Sequence, residues 1–132
     1  MGSFLLFLLF LFTAVAIVVL FLYLYAKVTP YDDFKLIFEE NNLAASIGFG
    51  GAILGLSIPL YSALVSSGSY IDFIVWAMVA MLLQLAFAYA VTKRKGKFSF
   101  EEKITENNVA IGTLMAFLSI SIGLLNAGSM SY

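Results

Sequence analysis

Residues 4–26 read FLLFLLFLFTAVAIVVLFLYLYA, 23 positions without a charge, and the run stops at Lys27. A helix crosses a hydrocarbon core of about 30 Å with about 20 apolar residues, and this run meets that length. A cleaved secretory leader would open with basic residues and carry an apolar core of roughly 7–15. Here the start is Met1-Gly2-Ser3, so the run is read as a retained membrane span.

Working outward, three more apolar stretches follow at 43–65, 70–92 and 107–128, the second of them with one charge, Asp72, near its outer end, and Ser66-Ser67-Gly68-Ser69 is a tight turn between spans two and three. Composition agrees: 62% of the 132 residues are hydrophobic, 11% are charged, and mean hydropathy is +1.01. A soluble domain carries roughly 25% charged residues. The chain is thus expected to be one all-α integral membrane domain over 1–132, with the lipid bilayer as its first partner. The net charge of −1 argues against a nucleic-acid partner. No cysteine and no histidine are present, which excludes disulfides, thiolate or Ser-His nucleophiles, His- or Cys-ligated haem and Fe–S clusters, and ordinary zinc sites. No metal and no cofactor is expected.

All seven cations, Lys27, Lys35, Lys93, Arg94, Lys95, Lys97 and Lys103, fall in the loops 27–42 and 93–106. Both loops lie on one side of a four-span chain, and the positive-inside rule makes that side cytoplasmic. Both termini then face out.

The two loops share more than charge. Glu40-Asn41-Asn42-Leu43-Ala44 matches Glu106-Asn107-Asn108-Val109-Ala110 at an offset of 66, which also sets Phe34 on Phe100, Lys27 on Lys93 and Tyr23 on Tyr89. Because the offset contains two spans, the copies (4–65 and 70–128) share one orientation, a parallel repeat of helical hairpins about an axis along the membrane normal. Within the loops, Thr29-Pro30 reads as an N-cap followed by Pro at the first helical position. Phe34, Ile37 and Phe38 then form an apolar stripe opposite Asp33, Lys35 and Glu39. Ser99 with Glu102 fits a capping box. These are interfacial lead-in helices.

Few polar groups remain for function. Glu40, Asn41, Asn42, Glu106, Asn107 and Asn108 stand before spans two and four. One residue of each step suffices for capping, and the two steps together could form a cytoplasmic site for a cation or an amine. Gln84 and Asn126 lie inside spans, where each amide needs a partner on another helix or a wet cavity. No span carries Lys, Arg, His or Glu at mid-depth, which counts against a proton pump, and nothing supplies a nucleophile or base for an enzyme. Small residues line two faces: Ala44, Gly48, Gly51 and Gly55 in span two, and Gly112, Ala116, Ser119, Gly123 and Ala127 in span four. Such stripes let helix backbones approach closely. The offset makes Ser46, Gly50 and Ser57 the counterparts of Gly112, Ala116 and Gly123. Pro59 leaves the Gly55 carbonyl without its helical donor, so a kink is expected there.

In order along the chain, Glu-Asn-Asn-Leu-Ala-Ala (40–45), Gly-Ala-Ile-Leu-Gly (51–55), Ile-Pro-Leu (58–60), Gln84-Leu85, Glu-Asn-Asn-Val-Ala (106–110) and Gly-Leu-Leu-Asn-Ala (123–127) resemble the domain of unknown function 350 family, the YjfL-like bacterial inner-membrane proteins. The resemblance covers nearly the whole chain. It implies a multi-pass protein of the bacterial inner membrane, duplicated halves, and a setting in envelope stress or polyamine metabolism. The second copy reads Ala110-Ile111 where the first has Ala44-Ala45, so the halves are not equivalent. The expected function is a non-enzymatic membrane subunit, forming a homo-oligomer or joining other membrane subunits through its small-residue faces. The competing expectation is a small channel or transporter for a cation or amine.

Overall fold

The computed structural model describes residues 2–93 and 99–130. Arg94, Lys95 and Lys97 of the second basic loop lie outside the described residues. The elements are α1 (Gly2–Val28), α2 (Asp33–Phe38), α3 (Leu43–Ser66), α4 (Tyr70–Thr92), α5 (Phe100–Thr105) and α6 (Val109–Ser129), with no strand among the described residues. The helices α1, α3, α4 and α6 are each long and apolar enough to cross a membrane. The short α2 and α5 sit at one end of the bundle, called here the charged end.

The bundle is organised by the small residues. A Cβ placed on Gly51, Gly55, Gly112 or Gly123 would fall within 3.0 Å of backbone atoms of the facing helix, so α3 and α6 touch backbone to backbone. Gly48 is looser, with the Met115 sulfur 3.5 Å from where its Cβ would be. The contact face of α3 is Ala44, Gly48, Gly51 and Gly55; that of α6 is Gly112, Met115, Ala116, Ser119 and Gly123. The repeat counterparts of the α6 face are not on this contact. Gly50 has open space beside it, and Ser46 and Ser57 are only half-buried. The small faces of the two spans stand two residues apart at the offset that matches their caps, about 200° around a helix. Residue size, not the repeat, decides which faces meet.

Helices from different halves therefore interlock. α3 lies on α6, and α1 packs against α4 more than against α3. Only Ala14, Ile17, Phe21 and Tyr25 of α1 are buried, one residue per turn, and no residue of its first twelve is. Phe10 sets its ring against Tyr70 and Phe73, and the Thr13 and Tyr70 hydroxyls hydrogen bond at 2.7 Å. At the charged end Lys27 lies over the Tyr23 ring at 5.4 Å and Lys93 over Tyr89 at 5.2 Å, each amphipathic pair closing the last turn of its span.

Candidate functional site

The Glu-Asn-Asn steps are helix joints. Asn41 and Asn107 have φ of 53° and 62°, the left-handed conformation that ends a helix and that Asn adopts more readily than other side chains. In the second copy the Asn107 and Asn108 amides return to the Ile104 and Lys103 carbonyls, which makes a Schellman turn. The next residue then caps the following span: Asn42 Oδ1 accepts from the Ala45 amide at 2.8 Å, and Asn108 Oδ1 from Ile111 at 3.2 Å. One asparagine stops a helix and the other starts the next, so both are needed in each copy.

The joints also clasp each other across the halves. Asn42 Nδ2 donates to the Ile104 carbonyl at 2.8 Å, and Asn107 Oδ1 accepts from the Ala44 amide at 3.0 Å. Asn42 is buried, whereas Glu40 and Glu106 are exposed. The structure brings the asparagines together and leaves the carboxylates outside. No group of three or more acidic residues suited to a metal occurs among the described residues.

Inside the bundle, two polar signals prove to be one. Gln84 of α4 is buried, and its Nε2 donates to the Gly55 carbonyl at 2.8 Å, with the Ser119 carbonyl at 3.4 Å. The Gly55 carbonyl is the one that Pro59 leaves without a helical donor. A glutamine on one helix thus completes the proline turn of another, and α3 continues through Pro59 to Ser66. Nearer the other end, Asn126 is buried, and its Nδ2 has no hydrogen-bond partner.

The charged end holds a further site that sequence reasoning missed. The helical start falls at Asp32, whose side chain accepts from the Lys35 amide, and not at Thr29-Pro30. The buried residues of α2 are Asp33 and Leu36, while Phe38 is 76% exposed and Phe34 39%. The amphipathic reading of α2 was thus turned round at Asp33. Its carboxylate accepts from Thr29 Oγ1 at 2.6 Å, which draws it under the end of α1 beside Tyr25 and Tyr31. Burial pushes the Asp33 carboxyl up to about 7; the Thr29 hydrogen bond opposes the rise and the Asp32 charge adds to it. Burial, with Asp33 and Glu101 nearby, raises the Tyr31 phenol above its ordinary range. The Tyr31 hydroxyl reaches the Met115 sulfur at 3.6 Å, a link to α6. Beside the cluster lies an open cleft of about 440 Å³, whose lining includes Tyr23, Lys27, Thr29, Tyr31 and Asp32. The available signal was spacing: Tyr25, Thr29 and Asp33 recur every four residues across the break at Pro30.

Comparison with known proteins agrees with this architecture. The family described as Domain of Unknown Function (DUF350) matches residues 1–130. The chain is similar to UPF0719 inner membrane protein YjfL of Escherichia coli (strain K12) and to the protein of the same name in Escherichia coli O157:H7. Each is 36% identical over 107 residues, which are 81% of this chain and 79% of the relative. No solved structure matches. With the match running almost from end to end over four membrane-length helices, the chain belongs to the DUF350 family and is a multi-pass inner membrane protein.

Proposed function

We propose that the protein is a non-enzymatic, non-conducting subunit of the inner membrane that acts through helix contacts, with its charged end cytoplasmic and both termini periplasmic. The observation that carries this reading is the α3–α6 seam. Where an axial route would run, neither helix has room for a methyl group at four glycine positions. Gln84 supports the same reading, since its amide is engaged by backbone carbonyls of α3 and α6. The small-residue stripes are used within the chain and offer nothing to a partner. Among the exposed apolar surfaces, the outer half of α1 is continuous over about three turns, since residues 2–13 include none that is buried, among them Phe4, Leu5, Phe7 and Phe12. In this reading another span, from a second copy or a different subunit, lies along that half.

The competing reading is a route for a cation or amine along Glu40, Glu106, Gln84 and Asn126. Flux of potassium, protons and spermidine into proteoliposomes separates the two. The expected result is no flux above empty vesicles. In parallel, a photo-crosslinking residue at Leu5 in native membranes should give a discrete protein adduct. Flux that Gln84→Leu abolishes would overturn the non-conducting role, and crosslinks to lipid alone would overturn the subunit role.

A further inference from the structure

The joint between α1 and α2 has one hydroxyl hydrogen for several oxygens. Thr29 Oγ1 lies 2.6 Å from Asp33 Oδ2 and 3.2 Å from each of the Tyr25 and Tyr31 carbonyls. A hydroxyl donates once and accepts on two lone pairs. If Asp33 is ionised, that hydrogen serves the carboxylate, and the Tyr25 carbonyl keeps only its bond from the Thr29 amide at 3.0 Å. If Asp33 carries a proton, its own O–H donates to Thr29 Oγ1, and the threonine hydrogen turns to a carbonyl. Both hydrogens are then used, and no charge is left in the joint.

The surroundings favour the second arrangement. Asp33 is 1% exposed, Thr29 5% and Tyr25 1%. A buried carboxylate is tolerated when a cation or several donors compensate it. Among the described residues no cation pairs with Asp33. Asp32 at the cap, Tyr25 from α1 and Tyr31 from the joint stand around it, with Glu101 of α5 beyond Tyr31. The cation nearest the joint, Lys27, lines the adjoining cleft with its Nζ over the Tyr23 ring and makes no ion pair with Asp33 among the described residues. The packed spans α3 and α6 contain no charged residue.

We propose that Asp33 is a proton-binding site, and that the bound proton is the ligand that fastens the end of α1 to α2. Its loss leaves a buried charge beside the open cleft whose lining includes Tyr23, Lys27, Thr29, Tyr31 and Asp32. Hydrating that charge parts α2 from α1 and releases Tyr31 from Met115 at the α3–α6 seam. The direction of the pH dependence follows. The folded-state carboxyl titrates at about 7, above the ordinary 3.8, so its stabilisation of the joint is full below about pH 4 and is lost as pH rises through about 7. The joint is therefore poised near neutrality. This inference goes beyond the subunit role and does not depend on it.

The test uses the whole protein in lipid nanodiscs. Infrared difference spectra between about pH 5 and about pH 9 should show a protonated-carboxyl C=O band that bleaches with a midpoint near neutrality and is absent from Asp33→Asn. Amide exchange over residues 27–42, corrected for its intrinsic pH dependence, should rise at least about tenfold over that range in the wild type and stay low in Asp33→Asn. In the wild type the rise in exchange should follow the bleach of the carboxyl band with the same midpoint, which decides the matter even if Asp33→Asn fails to fold. No bleach in the wild type, a rise in exchange that does not follow the bleach, or an equal rise in exchange in Asp33→Asn would each overturn the proposal.

Discussion

A proline in a membrane helix orphans the carbonyl four residues before it, and in hydrocarbon no water is at hand to satisfy that oxygen. Here the Gln84 side chain does so for Gly55, from a different helix. At the repeat offset Pro59 falls on Leu125 and Gln84 on Val18, so neither member of the pair has a copy in the other half. Each explains the other. Gln84→Leu leaves the Gly55 carbonyl unpaired and should lower stability by about 1–3 kcal/mol. In a Pro59→Ala background, where residue 59 regains an amide to offer Gly55, the same change should cost less. Thermal unfolding of the four proteins in detergent measures the coupling; strictly additive losses would show that the glutamine does not serve the proline.

At the level of elements, the packing of α3 on α6 depends on where the side chains are absent. Gly51 faces the Ala116 backbone with no room for a methyl, whereas its neighbour Gly50 faces open space. Gly51→Ala should therefore lose about 1–3 kcal/mol through overpacking. Gly50→Ala should lose nothing and gain up to about 1 kcal/mol from helix propensity. Comparing melting temperatures of the two variants in nanodiscs checks this, and equal losses would mean that α3 presents a different face. The short helices obey a similar local logic, since each is bounded by a side-chain cap at its start and a left-handed asparagine after its end. Asp33 departs from it because its carboxylate accepts from Thr29 Oγ1 at 2.6 Å.

For the whole molecule, the distribution of lysines predicts sidedness. Cysteine introduced singly at Glu39 or Gly68, both exposed, can be probed in intact cells, since the native chain has no cysteine. An impermeant thiol reagent should label position 68 and not position 39. The reverse pattern would invert the protein in the membrane and move the Asp33 joint to the periplasmic side.

The four spans, their lengths and the small-residue stripes were determined by sequence alone, because a bilayer imposes a length and an apolarity that each segment meets or fails by itself. The Glu-Asn-Asn steps were visible as a repeat, and their capping role followed from local chemistry. Three matters were settled by tertiary structure. The contact face of α3 was legible at Gly51 and Gly55, but which face of α6 it meets depends on both helices at once and does not follow the offset of the caps. The partner of Gln84 became known once α4 was laid across Pro59. Asp33 read as a solvated acid because burial is a property of everything packed around a residue, and its neighbours Tyr25 and Thr29 come from the far side of a proline break.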